Sequence, residues 1–146
     1  MSCLPRAGRR LTVLLADDHA ATAGQLRSLL QPHFEVVGVV HDGSALVAAA
    51  AQLSPDVIIA DISMPILDGI DAAALILRGN PAARIVLVTV HDERILVDRG
   101  LAAGALGYVL KDAAGDELVA AIHAVIGGGL YVSRGLDRHE SDAKPG

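Results

Sequence analysis

Short aliphatic runs alternate along the chain with stretches in which apolar residues recur every three or four positions. Leu11–Ala16, Val36–Val40, Val57–Ala60, Ile85–Val88 and Gly107–Leu110 read as strands. Thr22–Gln31 reads as a helix with Ala23, Leu26, Leu29 and Leu30 on one face. Ser44–Leu53 repeats the pattern with Leu46, Ala49, Ala50 and Leu53, and Ser54-Pro55 stops it. Ile70–Arg78 is closed by Gly79-Asn80-Pro81, and Arg94–Ala103 is weaker because Gly100 lies inside it. Asp116–Ile126 carries a stripe of Leu118, Ala121, Ile122, Val125 and Ile126 and ends at Gly127-Gly128-Gly129. Five strand–helix pairs predict an α/β fold: a doubly wound, five-stranded parallel sheet between two helical layers.

Composition narrows the functional classes. The 146 residues are 52% hydrophobic, yet Phe34, Tyr108 and Tyr131 are the only aromatic side chains. Three aromatic rings cannot form a base-stacking platform, and a net charge of −5 without a basic block argues against direct nucleic-acid binding. The longest apolar run, Leu101–Leu110, falls well short of the roughly 20 residues a membrane helix needs. No apolar signal core lies in Met1–Arg10, and a cytoplasmic location is expected. The single Cys3 excludes an internal disulfide and a cysteine-based zinc site. Strands buried on both faces account for the high aliphatic content.

Ligands of open α/β sheets bind beyond the carboxyl ends of the strands, so the residues there carry the chemistry. Asp17 and Asp18 follow the first strand, Asp61 the third, Thr89 the fourth and Lys111 the fifth. Alone, each has an ordinary explanation: an Asp after a strand caps a helix or makes a turn, a Thr is a strand residue and a Lys is solvated. Together they bring three carboxylates, a hydroxyl and an ammonium to one sheet edge. Three neighbouring carboxylates repel one another, and Mg2+ relieves that repulsion through oxygen ligands. With Lys111 added, the site would be neutral and suited to a phosphoryl group. No glycine-rich nucleotide loop is present, and Asp61 could itself be the nucleophile. His19, His33, His41, His123 and His139 show no i, i+4 pairing and no cysteine partner, which argues against zinc.

Four ordered segments resemble the bacterial two-component response-regulator receiver (CheY-like), in particular its LuxR/NarL-type branch. They are Leu14–His19, Pro55–Gly69, Leu87–Asp92 and Ala103–Asp112, and Gly127–Tyr131 also fits. The resemblance implies a flavodoxin-like fold and a phosphoacceptor signalling domain rather than an enzyme. It implies that Asp61 accepts a phosphoryl group from a sensor histidine kinase. Asp18 and Asp61 would ligate Mg2+ directly, with the Ser63 backbone carbonyl, and Asp17 would act through a water. Lys111 would pair with the phosphoryl oxygens, and Thr89 and Tyr108 would be the switch. Ser63 and His91 would tune the lifetime of the phosphorylated state. Lys111 is followed by Asp112 where many receivers have proline.

Residues 1–10 thus read as an N-terminal tail, 11–132 as the receiver and 133–146 as a C-terminal tail. The last 14 residues cannot build a DNA-reading helix. A stand-alone receiver is expected, acting on an unknown downstream protein and dimerising on phosphorylation. The alternatives are a truncated or excised receiver portion of a LuxR/NarL-type transcription regulator, and an aspartyl-intermediate phosphatase. The phosphatase would want an acidic residue where Ser63 stands.

Overall fold

The computed structural model describes residues 10–134. Cys3, His139 and most of both expected tails lie outside the described residues. Six strands form one sheet: β1 (Thr12–Ala16), β2 (Glu35–Val40), β3 (Val57–Asp61), β4 (Ile85–Thr89), β5 (Gly107–Leu110) and β6 (Tyr131–Val132). The helices are α1 (Ala20–Leu30), α2 (Gly43–Leu53), α3 (Gly69–Gly79), α4 (Arg94–Ala102) and α5 (Ala114–Ile126). All strand pairs are parallel, in the order β2-β1-β3-β4-β5-β6.

The expected sheet of five strands is corrected to six. Tyr131 donates its backbone N–H to the Leu106 carbonyl, and Ser133 donates to that of Tyr108, which adds a short strand to the β5 edge. Two residues are too few to show an alternating pattern. The last helix also begins earlier than expected: Lys111–Ala113 make a single 3-10 turn that runs directly into α5. Gly115, a poor helix former, is carried in the first turn of α5.

Alternation along the strands builds two cores. Val13, Leu15, Val57, Ile59, Val86 and Val88 pack under α1 and α5, against Leu26, Leu30, Leu118 and Ile122. Leu14, Ile58, Ile85 and Leu87 point the other way, toward Leu46, Ile70, Ile76 and Val97 of α2, α3 and α4. β3 and β4 are buried along their whole length. Each fully buried Leu, Ile or Val contributes about 1.5–3 kcal/mol, so the central strands tolerate almost no polar residue. The polar residues they do carry, Asp61 and Thr89, stand at the carboxyl ends.

Gly100 sits buried in α4 for a steric reason. A Cβ there would lie 2.7 Å from a Leu87 methyl and 3.6 Å from the Tyr108 ring, so glycine lets the helix settle onto β4 and β5. Among the described residues no helix is long and apolar enough to cross a membrane.

Candidate functional site

The sheet order reverses between β1 and β3, because the chain leaves β1 for β2 on one side and then crosses to β3 on the other. Such a switch point opens a crevice at the carboxyl edge. Asp17 and Asp18 come off β1 on one side of it, and Asp61 ends β3 on the other. Lys111 follows β5, and its Nζ lies 3.0 Å from both Asp61 Oδ2 and Asp17 Oδ2.

The two buried aspartates divide their oxygens. Asp17 Oδ1 accepts the His19 backbone N–H at 2.9 Å, and Asp61 Oδ1 accepts that of Ser63 at 3.2 Å. These are local turn contacts of the kind that make aspartate common after strands. The second oxygen of each is turned to the ammonium. By contrast, Asp42 and Asp68 are plain helix caps, accepting from Ala45 N at 2.7 Å and Asp71 N at 2.8 Å. The ordinary and the functional explanation of an aspartate therefore hold at different oxygens of one residue.

The pocket is short of positive charge. Asp17 and Asp61 are buried, with 0% and 4% exposure, and Asp18 adds a third carboxylate at the rim. Lys111 is the ammonium held between the two buried ones. Burial pushes the Asp61 carboxyl above its ordinary range, against the hydrogen bond and charge of Lys111, and the charge of Asp17 adds to the rise. Burial pulls Lys111 down, but its close contacts with Asp61 and Asp17 and their charges more than offset this and hold it raised.

Asp17, Asp18, Asp61 and His19 each offer a ligand atom, all within 4.8 Å of one another. Asp17 Oδ2 is buried and has no well-directed hydrogen bond, although the Lys111 ammonium stands near it. Carboxylate oxygens with an unsatisfied buried lone pair fit a hard divalent cation such as Mg2+.

The loop beyond Asp61 is shaped tightly. Gly69 donates its N–H to the Ile62 carbonyl at 2.8 Å, and a Cβ on it would lie 2.2 Å from the Asp61 carbonyl oxygen. Leu67 N–H bonds back to the Pro65 carbonyl at 2.7 Å, which forces Ile66 to φ 73°. A β-branched residue is strained there, and Ile66 is also 80% exposed.

On the other flank, His91 joins the remaining candidates. Its backbone N–H is donated to Thr89 Oγ1 at 3.1 Å, and its carbonyl accepts the Tyr108 hydroxyl at 3.0 Å. Its Nε2 lies 3.0 Å from Ser63 Oγ. Thr89 is fully buried. Tyr108 is also fully buried, its ring packed inward beneath Gly100. Burial first, then the charges of Glu93 and Asp92, push its hydroxyl up to about 12.

All the residues singled out in the sequence therefore meet at one edge: Asp17, Asp18, Asp61 and Lys111 around the crevice, and Ser63, Thr89, His91 and Tyr108 in one linked set beside it. Two residues carry signals that the sequence reading missed. His19 joins the acidic cluster through the loop, without the i, i+4 spacing of a helical metal pair. His41, also in a loop, sets its Nδ1 2.9 Å from the Asp17 carbonyl and braces that loop.

Comparison with known proteins places the chain in a family. The family model of the response regulator receiver domain matches residues 13–123. The chain is 39% identical over 129 residues to the transcriptional regulatory protein MctR of Rhizobium johnstonii, covering 87% of this chain and 60% of that protein. It is 35% identical over 125 residues to the response regulator UvrY of Escherichia coli, covering 84% and 57%. The chain thus spans a little over half the length of these curated relatives. Among solved structures, a LuxR-family two-component response regulator from Aurantimonas superposes with a TM-score of 0.88 at 28% identity, covering 92% of this chain and 98% of that one. The isolated receiver domain of RcsB from Salmonella enterica superposes at 0.81 with 29% identity, covering 89% and 98%. The chain belongs to the response-regulator receiver domain family of two-component signalling, in its LuxR/NarL-type branch.

Proposed function

We propose that the chain is a phosphorylation switch in which Asp61 accepts a phosphoryl group from the phosphohistidine of a sensor kinase. The observation that carries this reading is the Lys111 ammonium held 3.0 Å from the Oδ2 atoms of Asp61 and Asp17 at the sheet's switch point. An Asp61 oxygen attacks phosphorus in line, the P–N bond to the kinase histidine breaks, and the imidazole, already protonated on its other nitrogen, leaves as neutral histidine. The product is an acyl phosphate on Asp61. Little covalent chemistry is asked of the protein beyond positioning and charge neutralisation. Lys111 is placed to take the oxygens of the incoming group. Asp17, Asp18 and Asp61 would hold Mg2+, which supplies neutralisation of the phosphoryl oxygens. The Ser63 carbonyl completes the proposed ligand set, with Asp17 acting through a water.

Thr89 and Tyr108 are the proposed switch. The Thr89 hydroxyl now accepts from the His91 N–H. A phosphoryl group on Asp61 would offer it a stronger, charged acceptor. Drawing Thr89 away would loosen the His91 backbone, whose carbonyl holds Tyr108 inward. Phosphorylation would thereby bias two states of the β4–α4 segment and the β5 face for a downstream partner, including a second copy of the chain. The cytoplasm is the proposed setting.

The test is incubation with Mg2+ and acetyl phosphate, followed by intact-mass measurement. One acid-stable, base-labile addition of a phosphoryl group is expected, and none in Asp61→Asn. Labelling that survives in Asp61→Asn would remove Asp61 as the acceptor. Steady release of phosphate from a phosphomonoester would favour the phosphatase reading instead, and none is expected.

A second reading, that the chain is the receiver portion of a longer DNA-binding regulator, is favoured by the 60% coverage of a relative named as a transcriptional regulatory protein. A helix-turn-helix coding sequence in frame downstream would decide for it.

A further inference from the structure

We propose that His19 turns the acidic pocket into a mixed nitrogen–oxygen site that favours first-row transition dications, such as Co2+, over Mg2+. This rests on the metal-binding reading above and extends it to ligand type. His19 Nδ1 lies 3.0 Å from Asp18 Oδ1 and 3.7 Å from Asp17 Oδ1. One ligand atom from each of Asp17, Asp18, Asp61 and His19 falls within 4.8 Å of the others. Ligands bound at about 2.1 Å to one ion stand about 3.0 Å apart when adjacent and about 4.2 Å when opposite, so the four must draw together by roughly 0.6 Å or more to share an ion.

The geometry permits that closure. The His19 backbone is anchored, because its N–H is donated to Asp17 Oδ1. Its side chain is 68% exposed, makes no capping bond as the residue preceding α1, and already faces Asp18 and Asp17, so it can move with them toward a shared ion. Opposite it, Asp17 is fully buried, with Oδ2 lacking a well-directed hydrogen bond. A neutral imidazole adds a ligand without adding charge. The three carboxylates, Lys111 and one dication still sum to neutrality. Carboxylates and water suit Mg2+, whereas imidazole suits the later first-row metals and adds little for magnesium. The site's preference then depends on one exposed side chain in the β1–α1 loop.

The experiment compares Co2+ and Mg2+ dissociation constants of the full chain with those of His19→Asn, which keeps a good helix-capping residue. Co2+ affinity should fall about tenfold while Mg2+ affinity changes by no more than about twofold. The Co2+-loaded wild type should show a strongly shifted exchangeable imidazole N–H proton resonance that His19→Asn lacks. Asp17→Asn should weaken both metals, since it removes a buried negative charge from the same pocket. Equal loss of the two metals in His19→Asn, absence of the shifted resonance, or Co2+ binding untouched by Asp17→Asn would each overturn the proposal. Failure of the wild type to bind Mg2+ at all is a different result. It removes the metal reading beneath the proposal as well.

Discussion

Two buried acidic sites lie on either side of β5, and they are built on opposite principles. On the β4 side, Asp17 and Asp61 share one ammonium, and Asp17 keeps an oxygen without a well-directed hydrogen bond. On the β6 side, the buried Glu117 accepts the Ser133 hydroxyl at 2.5 Å, and the Ser133 oxygen itself accepts the Leu110 N–H at 3.3 Å. The second site is closed: a buried carboxylate meets a donor that is itself held in place. The first is left open, with more negative charge than its own residues neutralise. Buried groups are ordinarily fully satisfied, so a carboxylate oxygen at a sheet's switch point that has only a poorly directed ammonium points to where a ligand belongs. The satisfied one ties β6 to β5 and α5.

The comparison breaks most severely at Lys111. In Lys111→Ala the open site loses its ammonium, and phosphorylation of Asp61 by acetyl phosphate should slow by a factor of about 100. Intact-mass time courses measure it. An unchanged rate would mean that Lys111 only holds the resting pocket together. Ser133→Ala is the matching change on the closed side, and it should leave phosphorylation nearly untouched. It takes one donor from the buried Glu117 carboxylate, which keeps the Tyr131 side chain, and should lower stability by about 2 kcal/mol, read from denaturant unfolding. Adding Glu117→Met on that background should recover most of the loss, since removing both partners costs less than removing one. No recovery would show that the pair does more than satisfy itself.

The open site was legible in the sequence and the closed one was not, for a physical reason. Asp17, Asp18, Asp61, Thr89 and Lys111 each follow a strand with a clear apolar run, and parallel strands deliver their ends to one edge. That inference needs only the periodicity. Glu117 lies in the first turn of α5, where an acidic residue is expected on dipole grounds alone, and nothing local says that it is buried. Ser133 read as the first residue of a polar tail, yet it is fully buried. Its partners are 16 and 23 residues away, and β6 has no period to read. Arg10 is similar: read as tail, it donates from Nη2 to the carbonyls of Gln31 and Phe34. His19 was set aside because its ligand partners come from loop geometry rather than helix spacing.

Smaller effects sharpen the contrast. Tyr108→Phe removes the hydroxyl that holds the His91 carbonyl and should cost about 1 kcal/mol while the ring stays packed. Nuclear magnetic resonance should show more exchange broadening in the β4–α4 segment of the variant. Quiet spectra there would argue against Tyr108 as part of the switch.

The charge excess also has a signature in stability. Because burial holds the Asp61 carboxyl above its ordinary value of 3.8, ionising it costs more in the folded than in the unfolded chain. Its contribution to stability is full below that ordinary value and is lost as pH rises through the folded one. Without metal, the penalty is present in full only above the folded value. Asp61→Asn should therefore raise Tm modestly at pH 7, with the gap closing as the pH falls toward 4. Mg2+ should raise Tm more in the wild type than in the variant. A lower Tm for Asp61→Asn in metal-free buffer at pH 7 would contradict the charge excess.

The smallest expected effect lies where the open site meets its flank. The Ser63 hydroxyl and the His91 imidazole bridge the β3–α3 and β4–α4 loops at 3.0 Å, and the Ser63 backbone N–H is donated to Asp61. The bridge competes for the space through which water must approach a phosphoryl group on Asp61, and in-line hydrolysis needs that approach. His91→Ala opens it without touching the carboxylates or Lys111. Loss of the phosphoryl group should then quicken a few-fold, followed by intact mass after the donor is removed, while the rate of its gain stays the same. Ser63→Ala should have the same sense, because it breaks the bridge from the other side. Should His91→Ala leave the rate of loss unchanged, the bridge is a surface contact, and the lifetime of the acyl phosphate is set by Lys111 and the metal alone.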